Sequence, residues 1–206
     1  MKSETMRANL RRATRHWHVA LENHLDLGGT HWTEQSYCRL LAKFWGLYSP
    51  LEAKLEKINW DASGLSLDER RKTGWLETDL AHFGLGNHSI CDLERCRDLP
   101  RLDSLESGLG ALYVMEGSTL GGQIVLKTLE RLLSISPNSG GRYFASYGSE
   151  VGAMWRDYLA VLEEISLSTR ATDQIVAGAI ETFSAFDRWF TDFRFNAAQG
   201  SRTFDD

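Results

Sequence analysis

Apolar residues recur every three or four positions in six stretches of the chain, about 4–26, 33–57, 66–84, 103–134, 147–167 and 170–197, and this spacing predicts six helices. In the first, Leu10, Ala13, Trp17 and Leu21 form the apolar stripe. His18 falls at its edge beside Thr14 and Leu25, whereas His16 points to the far side. In the last, Phe183, Phe186, Phe190 and Phe193 continue a stripe begun by Val176 and Ala179, the ordinary pattern of a core-facing helix. Breakers cluster between the stretches, in "LGGTHWT", "FGLGNHSICD", "DLP" and "SISPNSGGRYFASYG". With three prolines, few β-branched runs, no repeat and no linker, the pattern predicts an all-α bundle forming a single domain over 1–206. The polar residues from about 198 onward are expected to form a flexible tail.

The fourth stretch poses a problem. "LYVMEGSTLGGQIVLK" (112–127) has helical apolar spacing but carries Gly117, Gly121 and Gly122, and each glycine costs a helix about 1 kcal/mol relative to alanine. At about 100° per residue, Gly110, Gly117 and Gly121 lie within roughly 40° of one another and make one flank smooth. Such a flank admits a close-packed helix, or a flat ligand lying against bare backbone, and Gly/Ser pairs also bend helices. Packing is the ordinary explanation, although three glycines in six residues exceed what packing needs. Glu116 falls on the apolar face with Leu105, Leu109 and Leu112, so its carboxylate needs a buried partner.

Composition narrows the functions. A net charge of −5 and a pI near 5.7 leave no basic excess for nucleic acid. No apolar run reaches the ~20 residues that span a bilayer, and the N-terminus lacks the apolar core of a signal peptide, so a cytoplasmic protein is expected. Cys38, Cys91 and Cys96 form no CxxC pair and read as structural or free thiols.

His18 carries the candidate chemistry. Glu22, one turn on, can hold one imidazole nitrogen and leave the other to ligate a metal, as carboxylates behind ligating histidines do. Arg11 lies two turns earlier on the same flank, where a cation could meet a ligand's carboxylates. The ordinary alternatives are a satisfied structural histidine and a solvated arginine.

These pieces, in this order, resemble the haem oxygenase family, and within it the bacterial biliverdin-producing branch associated with bacteriophytochromes. "LRRATRHWHVALE" is similar to the first-helix segment with the proximal haem ligand, and "LYVMEGSTLGGQ" to the distal-helix signature; "WLETDLAHFG" and "YFASYGSEVGAMWRDYLAVLEE" also look like bacterial members. The resemblance implies a haem oxygenase-like bundle in which haem lies between the first helix and a glycine-kinked distal helix. It places the iron ligand on His18 with Glu22 behind it, makes Gly117, Gly121 and Gly122 the distal wall, and sets Ser118 beside the oxygen site. Phe183 and Phe190 match aromatic positions that contact haem, and Arg11 and Arg156 match cations facing its propionates. Animal members carry an aspartate where this chain has Ser118, so other groups must order the distal water. Tyr113 is a candidate, with core packing as its other role.

The implied reaction is oxidative cleavage of haem, as substrate and cofactor together, by O2 and an external reductant to biliverdin, carbon monoxide and ferrous iron. A ferredoxin or flavoprotein reductase would supply electrons, and a bacteriophytochrome could receive biliverdin. The alternatives are a haem carrier or sensor using the same pocket, a thiaminase-like hydrolase of related architecture, and an interaction module.

Overall fold

A computed structural model describes residues 5–30 and 32–193. Its helices are α1 (Met6–Leu25), α2 (Glu34–Leu55), α3 (Thr73–His82), α4 (Asn87–Cys91), α5 (Leu105–Leu133), α6 (Arg142–Ala145), α7 (Val151–Ile165) and α8 (Thr169–Phe190). No strand occurs among the described residues. The all-α expectation is met, and the long helices start where side-chain caps dictate. Thr5, Thr33, Ser104 and Ser168 each accept a backbone N–H of the first turn, worth about 1 kcal/mol apiece.

Three expected boundaries change. The stretch 66–84 is helical only from Thr73, because Arg70 and Lys72 turn inward to meet a buried carboxylate and their backbone follows a 3-10 turn, Asp68–Arg70, instead. The stretch from 147 opens with a 3-10 turn at Gly148–Glu150 before α7. The short α4 and α6 arise inside segments read as loops. The tail expected from about 198 lies outside the described residues.

α8 packs against both α1 and α5, and the three helices run in the same direction. His18 and His24 of α1 meet Phe183 and Thr191 of α8 in that order. Gly110 of α5 packs at Gly178, while Ser118 and Phe186 both meet Tyr48 about two turns further on. Where α5 crosses α8 the backbones touch. A Cβ on Gly110 would lie 2.6 Å from Ala179 N, and one on Gly178 would lie 2.8 Å from Ser107 Cα. The core beside this crossing is aromatic: Phe44, Tyr48, Tyr143, Phe186 and Phe190 are all buried, with Phe44 and Phe190 rings 4.9 Å apart.

α2 contains Pro50 yet remains helical. Proline has no N–H to give Gly46 O, the carbonyl one turn back, and Cys96 N takes its place at 2.8 Å. Gly46 is bare for the same reason, because a Cβ there would strike the Glu94 carbonyl and Trp189.

Candidate functional site

α1 and α5 approach each other at Tyr113, whose hydroxyl lies near Thr14 and Arg11. Thr14 is buried and bonds back to Leu10 O at 2.8 Å. Since the helices run parallel, one further turn brings His18 on α1 and Gly117 on α5 to the same level above α8. The resemblance expects haem between these two helices.

On the α1 side, His18 Nδ1 lies 3.3 Å from Glu22 Oε2. The carboxylate orients the imidazole and leaves Nε2 free to ligate. The His18 side chain is 57% exposed, and the edge of Phe183 supports its ring at 6.0 Å. His16 stands apart against Trp17. No group of three or more His, Cys, Asp or Glu side chains among the described residues could hold a bare metal ion. An ion held by His18 must therefore bring its remaining ligands, as an iron set in a macrocycle does.

On the α5 side the helix continues unbroken through its glycines. A Cβ on Gly121 would meet nothing within 4 Å, and one on Gly117 only the Trp155 ring at 3.9 Å. Leu120 and Ile124 on this flank, and Val19 beside His18, are exposed apolar side chains, the mark of a surface that a ligand covers. Trp155 offers another sign. Its indole Nε1 is buried with no protein partner, while its ring packs at a tilt against Tyr113 at 5.8 Å. A buried donor left unmet costs about 1–3 kcal/mol, which a ligand or water acceptor would recover. These features fit a flat apolar macrocycle held by one histidine.

Two expected residues stand elsewhere. Gly122 is buried against α6, where a Cβ would lie 2.9 Å from Phe144 O, so close packing explains it. Phe190 is fully buried, enclosed by Phe44, Phe186 and Phe193, and leaves no face for a ligand. Arg11 on α1 and Arg156 on α7 are both exposed. Tyr113 packs its ring against Trp155. Concavities of about 720 and 850 Å³ lie at the end of α2 and beside Trp189, and contain none of the expected residues.

Behind the glycines lies a charge cluster. Glu116, fully buried, accepts from Arg70 Nη1 at 2.6 Å, Lys72 Nζ at 2.8 Å and the Tyr147 hydroxyl at 2.8 Å. The partner required by its position on the apolar face is therefore present three times over. Burial pulls the Lys72 ammonium below its usual range, and Glu116 opposes that shift. Glu52, whose carboxyl burial pushes up, accepts the Lys72 and Thr73 amides at 2.6 and 3.2 Å.

Sequence reasoning missed Tyr48 and Tyr143. Tyr48 Oη lies 3.3 Å from Ser118 Oγ, and the Tyr143 ring packs 5.7 Å from that of Tyr48. Ser118 itself bonds Met115 O at 2.8 Å. Tyr48 could have been suspected as a phenol one turn from Phe44 in a core helix. Tyr143 gave no signal, since its helix is four residues long.

Comparison with known proteins agrees with this fold. A curated haem oxygenase from Xanthomonas campestris pv. campestris is 27% identical over 161 residues, 78% of this chain and 92% of its own. The haem oxygenase of Leptospira interrogans superposes with a TM-score of 0.71 at 18% identity, covering 91% of this chain and 99% of that one. Haem oxygenase-1 of the cyanobacterium Synechocystis, solved in complex with haem, gives a TM-score of 0.69 at 19% identity, with 94% of each chain covered. The family model described as "Heme oxygenase" matches residues 4–192, and the chain, an enzyme that degrades haem to biliverdin, belongs to the haem oxygenase family.

Proposed function

We propose that haem lies between α1 and α5 with His18 Nε2 as its iron ligand. The observation that carries this reading is the pairing, above α8, of a histidine whose Nδ1 is committed to Glu22 with two glycines that leave no side chain opposite. Bound haem supplies the redox-active iron and is itself the macrocycle that is cut. Glu22 fixes the tautomer and raises the basicity of His18. Phe183 holds the imidazole edge-on from below. Arg11 and Arg156 draw the ligand's carboxylates to the Tyr113 end and so choose its rotation in the cleft. Gly117 and Gly121 keep the distal side open to O2, and Ser118 offers a hydroxyl beside them.

An external reductant is part of this reading. The exposed Arg7, Arg11, Arg12 and Arg15 on α1 would attract an acidic donor such as a ferredoxin, or a flavoprotein reductase. The resemblance of the chain's motifs, taken together, to the bacteriophytochrome-associated branch is what suggests delivery of biliverdin to such a photoreceptor. No helix among the described residues is long and apolar enough to cross a membrane, in keeping with the expected cytoplasmic setting.

The test is to add haemin to the purified protein, supply reductant in air and follow the visible spectrum. A haem band that decays into biliverdin is expected. His18→Ala should retain the fold, because the side chain is half-exposed, and lose turnover. Full biliverdin yield from that variant without added imidazole would refute the assignment.

A further inference from the structure

The cavity of about 720 Å³ at the end of α2 belongs to no site described so far. Pro50, Lys54 and Lys57 stand at i, i+4 and i+7, so a single stripe of α2 and its cap forms one wall. The segment that leads into α5 forms the other, with Leu99, Leu102 and Leu105. A volume of this size lies in the range of about 300–1,000 Å³ that holds small organic ligands.

Two ammonium groups are set into this apolar surround. Lys54 is half-buried and gives one hydrogen to Pro100 O at 2.6 Å, which ties the two walls together. An ammonium carries three donors, so two remain. Lys57 is exposed one turn further on. Among the described residues Lys43 and Lys72 are paired with carboxylates, whereas Lys54 and Lys57 are not. Asp103 lines the same cavity and pairs with neither. The arrangement suits a ligand with an apolar body and two carboxylates separated by about the 5–6 Å that divides neighbouring side chains on a helix face.

The lining also distinguishes between the two tetrapyrroles of the reaction. No histidine, cysteine, methionine or tyrosine lines the cavity, so it offers none of the side chains that ordinarily hold haem iron. The linear product has lost its iron and keeps only carboxylates and apolar rings for recognition. Leu105 and Gly117 are about 18 Å apart along α5 at 1.5 Å per residue. The cavity and the haem cleft can therefore hold a ligand each at the same time.

We propose that this cavity is a product site that takes up biliverdin as it leaves the haem cleft, with Lys54 and Lys57 on its two carboxylates and the leucine wall against its rings. Product held here no longer occupies the cleft, which is then open to the next haem. The proposal rests on the placement of haem between α1 and α5, which keeps haem out of this cavity.

The test titrates biliverdin into the full chain loaded with ferric haem, without reductant, and follows the circular dichroism induced in the biliverdin band. One equivalent should bind. Lys57→Ala and Lys54→Gln should each weaken it by about 2–5-fold, and Lys57→Glu by more. Lys57 is exposed, so its variants fold, and the haem band reports that the cleft stays filled. Biliverdin dimethyl ester, with both carboxylates neutralised, should bind no better than it does to the weakest variant. No biliverdin bound to the haem-loaded chain, an affinity unmoved in all three variants, or an ester that binds as tightly as the acid would each overturn the proposal. Displacement of biliverdin by an equal concentration of palmitate would assign the cavity to monocarboxylates and overturn it as well. A wild-type haem band that survives unchanged in His18→Ala would instead remove the placement on which the proposal rests.

Discussion

The two flanks of α5 carry the same residue type for opposite reasons. On the closed flank, Gly122 lets the α6 backbone touch and Glu116 is saturated by two cations and a phenol, while Gly110, two turns before Gly117 on the smooth flank, lets the α8 backbone touch. On the open flank, Gly117 and Gly121 face space, with exposed apolar neighbours and only one ring nearby. Absent side chains serve assembly on one side and accommodation on the other. The difference shows that a glycine-rich motif is read through what a Cβ would meet, and that one helix can be over-determined on its back so that its front can stay bare.

Substitutions on the two flanks should therefore part company. The largest effect is expected for Glu116→Gln, which leaves Lys72 and Arg70 buried without their counter-charge. Loss of one partner of a buried pair costs about 3–5 kcal/mol, so the denaturation midpoint should fall steeply; a loss under 1 kcal/mol would show that the cluster does not brace α5. Gly110→Ala forces a Cβ into the backbone of α8, which has no side chain to move aside. A cost near the upper end of the ~1–3 kcal/mol for overpacking is expected, and thermal unfolding would reveal it.

Asp79, which pins α6 against the closed flank, gives a smaller effect that depends on pH. Burial raises its carboxyl to about 6, above the unfolded value near 3.9. Between those values the folded chain keeps a proton that the unfolded chain has released. Its stabilising contribution is thus fully present below about pH 4 and is lost as pH rises through about 6. Relative to Asp79→Asn, wild type should lose on the order of 1–2 kcal/mol between pH 4 and 7, measured by urea unfolding at each pH; parallel curves would contradict the shift. The smallest effect on folding belongs to Gly121→Ala. With open space around it, the added methyl should be neutral or stabilise α5 by about 0.5–1 kcal/mol while weakening haem binding. A destabilised apo protein would erase the contrast between the flanks.

Much of this arrangement was legible in the chain. The long helices follow from apolar spacing and Ser/Thr caps, and the His18–Glu22 pair from i,i+4 geometry alone. The smooth flank of α5 could be drawn on a wheel, but its division could not, because period says which residues share a face and not what lies across from it. Gly122 and Phe190 were misplaced for that reason, one taken by Phe144 and the other by the core. The Glu116 cluster shows the limit most clearly. Its need for partners was written in the pattern, whereas Arg70 and Lys72 come from a segment whose spacing imitates a helix. Tyr143 depends on a four-residue helix held by a carboxylate 63 residues away along the chain, a relation that no local period encodes.

Pro50 carries a consequence of another sort. In a 22-residue helix nearly every carbonyl is spoken for by the amide four residues on. Removing one amide leaves the Gly46 carbonyl uncommitted in the middle of the helix, and the bare Cα beside it clears the approach. The segment after α4, which has no regular structure of its own, docks there through Cys96 N. A residue known for interrupting helices thus acts as an address. It marks where a wandering connection must land, and so fixes the register in which that connection returns to begin α5.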